Sequence, residues 1–157
     1  MSTNYYLKRI PTEDEIAQCH RLLDERKIEY CDICDEKYGT PYLQDVLGKM
    51  TEQIFIGKFS DGWRFLFRSH TDLYAKNIRS CLDYLQHQLD TGLWRMMDEY
   101  GETISIAELE TLIRKSLDGI TLHEYYQKYL ERGQRDAVIP QQEIASDGSR
   151  WWDENFW

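Results

Sequence analysis

Apolar residues recur along this chain in two rhythms, one of two residues and one of three to four, and each change of rhythm marks a new element. Residues 4–10, Asn-Tyr-Tyr-Leu-Lys-Arg-Ile, are β-prone and stop at Pro11, which predicts a strand. Thr12 with Glu15 forms a capping box. It opens a helix to about Arg26, with Ile16, Cys19 and Leu23 on one face. Residues 27–40 read as irregular, and Pro41 starts a short helix to Met50. Next come two β-rich runs, 53–59 and 63–68, flanking Ser60-Asp61-Gly62, where the Asp-Gly pair signals a hairpin. Strand alternation puts Trp63, Phe65 and Phe67 on one face, and Arg64, Leu66 and Arg68 on the other. In the first run, Ile54 and Ile56 share a face and Phe55 and Phe59 share its reverse. Apolar residues on both faces predict a hairpin central to a sheet, with Gly57 allowing a bulge or a close approach.

Helical spacing then dominates. Thr71 or Asp72 can cap a helix to about Asp90, with Tyr74, Ile78, Cys81, Leu82, Leu85 and Leu89 as its stripe. Residues 93–97 read as a strand turning at Tyr100-Gly101. Ser105 with Glu108, and Thr121 with Glu124, are further capping boxes. The first opens a helix with Ile106, Leu109, Leu112, Ile113 and Leu117 inward; the second opens one to about Arg132. From Gly133 the chain turns polar, then ends on Trp151, Trp152, Phe156 and Trp157. The pattern predicts an α+β fold, a small antiparallel sheet with a central hairpin (about 53–59 and 63–68) packed against several helices. Residues 1–157 form a single domain, with 133–157 a loop-rich aromatic tail docked on it as a last strand, or engaging a partner.

Composition narrows the function classes. The chain has 157 residues and a net charge of −9, with acidic side chains spread along its whole length and no basic stripe. Direct nucleic-acid binding is therefore not expected, whereas docking to a basic protein is compatible with the charge. No apolar run approaches the roughly 18 residues of a membrane span, so no membrane association is expected. No apolar leader opens the sequence, so the four cysteines are expected as reduced thiols in a cytoplasm.

Local chemistry is sparse. Cys31-x-x-Cys34 has the spacing of a zinc knuckle, but zinc takes four ligands and no second such pair exists. Only Cys19 and His20 lie near, and Cys19 sits on the apolar stripe. We take Cys31 and Cys34 as free thiols, with Cys31, Cys34 and His20 the metal candidates should one bind. Gly57-Lys58-Phe59-Ser60 lacks the preceding glycine of a phosphate-binding loop and falls in a hairpin, so it is not read as one. His20, His70, His87 and His123 fall in no nucleophile motif, and no catalytic residue or cofactor is assigned.

Three segments carry a resemblance: Thr3-Asn4-Tyr5-Tyr6; Ile56-Gly57-Lys58-Phe59-Ser60-Asp61-Gly62-Trp63-Arg64-Phe65; and Asp98-Glu99-Tyr100-Gly101-Glu102. In this order they resemble a family of uncharacterised phage and prophage proteins, although Ser2 replaces that family's glycine. Some members carry cysteines and histidines where Lys8 and Phe55 stand here, which weakens the metal reading further. The resemblance implies a phage or mobile-element source and a bacterial host's cytoplasm, but no catalytic residues. It leads us to expect a binding protein of the host-defence-inhibitor type exemplified by anti-CRISPR proteins, acting by stoichiometric contact with a basic nucleic-acid-binding effector. The alternative is a small-ligand protein or enzyme for an anionic nucleotide, with its pocket beside the hairpin. Candidate binding residues across both readings are Tyr5, Lys58, Ser60, Asp61, Arg64, Trp151, Trp152 and Trp157.

Overall fold

The computed structural model describes residues 2–27, 52–120, 124, 127 and 143–153. The expected helices over 41–50 and from Thr121, and the residues Phe156 and Trp157, lie outside these, wholly or nearly so. Described in chain order are β1 (Ser2–Arg9), α1 (Glu13–Asp24), β2 (Gln53–Ser60) and β3 (Leu66–Arg68). There follow α2 (Ile78–Asp90), β4 (Trp94–Asp98), α3 (Ile106–Ser116), β5 (Glu143–Ile144) and β6 (Arg150–Trp152). The six strands form one sheet in the order β4-β1-β2-β3-β6-β5. Every pairing is antiparallel except β3 with β6. This is the α+β class that the periodicities predict, with β2 and β3 in the interior of the sheet.

Side-chain alternation sends one face of the sheet into the core. Tyr5, Leu7, Phe67, Met96 and Trp151 meet Ile78, Cys81, Leu82 and Leu85 of α2 and Leu109 and Ile113 of α3 in one buried cluster. Each such aliphatic or aromatic side chain, once buried, contributes about 1.5–3 kcal/mol. Trp151 stacks on Phe67 at 4.6 Å and 18°. The register places Tyr6, Lys8, Phe55, Lys58, Leu66, Arg68 and Trp152 on the reverse face.

Gly57 lies at a bulge: Tyr5 pairs with Gly57 but Tyr6 with Phe55, leaving Ile56 as the extra residue. A Cβ on Gly57 would stand 2.4 Å from Phe65 Cε1 and 2.5 Å from the Leu66 carbonyl. Only the absence of a side chain lets the Phe65 ring close over β2.

Three expectations are corrected. First, the strand expected over 63–68 is paired with β2 only through Phe67 and Leu66. The turn itself forms, with the Trp63 N–H bonded to the Ser60 carbonyl at 3.0 Å and Gly62 at φ +79°. Residues 63–65 then leave β2, because the Arg64 N–H bonds the Ile120 carbonyl and the Phe65 N–H bonds Ser116 Oγ. Second, α2 is capped by Asn77, whose side chain accepts from the Ser80 N–H, and not by Thr71 or Asp72. Tyr74 is buried from the preceding turn, where its hydroxyl donates to the Arg68 carbonyl. Third, α1 buries Cys19 and Leu22, while Ile16 is 41% exposed. Its inward stripe is Glu15, Cys19 and Leu22, since Glu15 closes the capping box and also takes the Arg9 guanidinium at 3.0 Å. The capping boxes at Thr12 and Ser105 both form.

Candidate functional site

Two Asp-Gly pairs meet at one end of the sheet. Asp61-Gly62 forms the turn after β2, and Asp118-Gly119 follows the last turn of α3. Backbone bonds lock them together: the Ile120 N–H donates to the Gly62 carbonyl at 3.0 Å, and the Arg64 N–H to the Ile120 carbonyl at 3.1 Å. Ser116 Oγ accepts from the Phe65 N–H at 2.9 Å and donates to the Ile113 carbonyl at 2.6 Å. Arg64 reaches across, donating from Nε to the Gly119 carbonyl and from Nη1 to that of Gly148. Arg150 completes the joint, donating to the Arg64 carbonyl at 2.8 Å and placing its guanidinium 5.7 Å from the Trp63 ring. Burial and the Arg64 charge lower the Arg150 pKa to about 10, which leaves it protonated at neutral pH.

Between the turn and the end of α3 lies a cavity of about 400 Å³. Half-buried Phe59, Trp63 and Leu112 form its apolar part, and exposed Asp61, Lys115 and Asp118 line it too. None of these three charged groups is in an ion pair with a described residue. The volume is at the lower end of the roughly 300–1,000 Å³ usual for ligand pockets.

The candidate residues read from the sequence are scattered by the fold. Ser60 and Asp61 belong to the turn, and Asp61 lines the cavity. Arg64 is beside it but spends its guanidinium on backbone carbonyls. Tyr5 is 8% exposed on the core face, with its pKa raised by burial and then by the charges of Asp98 and Glu99. Lys58, opposite Asn4 and Leu66, is on the reverse face, so the structure does not bring Tyr5 and Lys58 together beside Arg64. Trp151 is core and Trp152 half-buried on the reverse face, while Trp157 lies outside the described residues. Cys31 and Cys34 lie outside them as well, and His20 is exposed on α1. Among the described residues no cluster of three or more His, Cys, Asp or Glu is arranged to hold a metal ion.

Trp63, Leu112, Lys115 and Asp118 are functional candidates that sequence reasoning missed. Trp63 reads as a core anchor on its own strand, and the others lie some fifty residues away on α3 or just beyond it. The one available signal was the second Asp-Gly pair, at the end of the α3 pattern.

Other polar groupings are structural. Asp147 accepts the Ile78 N–H at 2.7 Å and the Ser149 N–H at 3.0 Å, and takes the Ser149 hydroxyl as well. Ser149 in turn accepts from Trp151 Nε1 at 2.7 Å, so the serine faces an indole and not an imidazole base. His70 Nε2 is bonded to the Phe55 carbonyl at 2.8 Å. Burial pushes the Cys81 thiol up to about 12, with a Tyr74 hydrogen bond acting against it, so Cys81 is a poor nucleophile.

No family model, curated protein or solved structure matches the chain. No helix among the described residues is long and apolar enough to cross a membrane.

Proposed function

We propose that the chain is a phage- or mobile-element-encoded binding protein whose contact surface is centred on the turn cavity. It acts by stoichiometric docking to a basic protein, a nucleic-acid-binding effector of host defence in the manner of anti-CRISPR proteins, in the cytoplasm of a bacterial host. The observation that carries the reading is the cavity itself: an aromatic and aliphatic pocket bordered by Asp61 and Asp118, on a molecule of net charge −9. A desolvated pocket ringed by polar groups is the usual anatomy of an interface anchor. The negative field of the chain favours encounter with a basic surface. The phage-type segments at 3–6, 56–65 and 98–102 support the source.

The small-ligand alternative draws support from the cavity volume alone. Its anionic-nucleotide form is less well supported, because Lys115 stands against two carboxylates there and Arg64 is engaged on carbonyls. A tagged chain incubated with host lysate should retain one basic nucleic-acid-binding protein at fixed stoichiometry. Expression of the chain should then relieve restriction of phage by that partner's defence system. A panel of defence systems left at full strength, with no stoichiometric partner retained, refutes the proposal. Thermal-shift screening with nucleotides checks the alternative.

A further inference from the structure

Away from the turn cavity, and independently of the docking reading, we infer that the reverse face of the sheet is a site for a small ligand carrying two or more phosphate groups. Four strands each bring one cation to this face: Lys8 from β1, Lys58 from β2, Arg68 from β3 and Arg95 from β4. They are far apart along the chain, so no basic stripe announces them in the sequence. None of the four is in an ion pair with a described residue. On a chain of net charge −9 they create a local field opposite in sign to that of the whole.

Two details point to an anion as the missing counterpart. Lys8 and Arg95 are directly opposite each other in the β1–β4 register. Like charges so placed, with Cβ atoms about 5 Å apart, weaken the strand pair, and an anion held between them relieves the repulsion. The Tyr6 ring, 5.6 Å from Lys8 Nζ, compensates one of the two only in part. The second detail is Arg68, whose Nη1 is buried with no hydrogen-bond partner among the described residues. An unbonded, desolvated guanidinium nitrogen is costly, and a phosphate oxygen is the acceptor its planar fork fits best. Lys58, opposite Leu66, is diagonal to Arg68 at about 7–8 Å between Cβ atoms. Lys58 and Arg68 can thus converge on one phosphate while Lys8 and Arg95 hold another.

The carboxylates nearest this face are engaged. Glu99 accepts from the Asn4 N–H and side-chain amide. Asp153, on which the Arg68 charge acts, is already bonded by Lys76 and Ser69. The overall charge sets the size of the ligand. A long polyanion reaches past the four cations into the acidic remainder and is repelled, whereas a compact one meets the cations alone.

The test titrates sodium tripolyphosphate into the full-length chain by calorimetry, with nitrogen-15 NMR of the backbone amides to place the site. Orthophosphate and a single-stranded oligonucleotide run in parallel. Saturable binding of tripolyphosphate is expected, with amide shifts concentrated in β1–β4 and orthophosphate at least about fivefold weaker. Lys8→Gln and Lys58→Gln should each weaken binding by about two- to tenfold, and Arg79→Gln, on exposed α2, should leave it unchanged. Lys8 and Lys58 are half-buried and form no ion pair with a described residue, so both variants should keep the wild-type melting temperature, which is measured alongside. No saturable binding, shifts centred outside β1–β4, or wild-type affinity in both glutamine variants overturns the inference. So does an equal loss in Arg79→Gln, which marks general charge screening. An oligonucleotide that binds more tightly than tripolyphosphate overturns the assignment to a small ligand. The docking reading is untouched by any of these results, since its lysate capture and phage assays do not involve this face.

Discussion

Asp147 joins the C-terminal strands to α2, and its removal is the sharpest test of how this fold is held. Its carboxylate accepts the first helical N–H of α2, from Ile78, at 2.7 Å. It also accepts the N–H and the hydroxyl of Ser149, which orients that hydroxyl to receive the Trp151 indole N–H. In Asp147→Ala the Ile78 and Ser149 N–H groups lose a charged acceptor. A hydrogen bond to a charged group contributes about 1.5–3 kcal/mol, and a carboxylate at a helix N-terminus about 0.3–1 kcal/mol. Asp147 is exposed, so water replaces part of what is lost and solvent screens the charge. We expect a net loss of about 1–3 kcal/mol, which for a chain of this length lowers Tm by about 2–12 °C.

The pH dependence separates this explanation from a packing effect. Burial raises the Asp147 pKa, but hydrogen bonds from the Ser149 hydroxyl, the Ile78 N–H and the Ser149 N–H outweigh it, and the carboxyl is held below its ordinary value in the folded protein. The stabilisation is thus fully present above the unfolded value and is lost as pH falls through the lowered folded value. Calorimetric melts of both proteins from pH 7 to pH 2.5 should show a constant gap above about pH 5 that closes in the acid limb. A gap that persists unchanged to the lowest pH at which both still fold refutes the charge-based account. So does a variant that melts with the wild type at pH 7.

Gly57→Ala should cost about 1–3 kcal/mol or more in urea denaturation, since its Cβ would press on the Phe65 ring and the Leu66 carbonyl. Asn77→Ala should lose about 0.5–2 kcal/mol of stability while Asp72→Ala changes little, because only Asn77 caps α2; paired thermal melts decide it. Cys81, held near pKa 12 by burial, should resist iodoacetamide at pH 8 in the native protein and react once the chain is unfolded, as peptide mass spectrometry will show.

Much of the fold was legible along the chain. The capping boxes at Thr12 and Ser105 are local devices, complete within four residues, and both form as the sequence indicates. The period-two runs gave β1 and β2, and the stripe Ile78, Cys81, Leu82 and Leu85 gave α2, because burial of one face imposes its own spacing. Where local signals competed, tertiary contacts chose. Thr71, Asp72 and Asn77 can all cap a helix, and Asn77 does so in a structure where Asp147 meets the next N–H. Ile16 and Glu15 both offered a first-turn contact, and the Arg9 guanidinium drew Glu15 inward.

The site was far less legible. Ser60 and Asp61 are visible as turn residues, but a turn says nothing about what it faces. Residues 63–65 were β-prone, yet they abandon β2 because the carbonyl of Ile120 and the hydroxyl of Ser116 capture their N–H groups. That capture brings Trp63 against Leu112, Lys115 and Asp118 and creates the cavity. Sequence by itself determined the class of fold, the diffuse negative charge and most of the caps, since each follows from neighbours in the chain. Only the tertiary structure decided which charged groups share a pocket and which, like Arg64, are consumed in holding it. Contacts across fifty or more residues obey no local period, and hydrogen-bond satisfaction at their meeting point settles them.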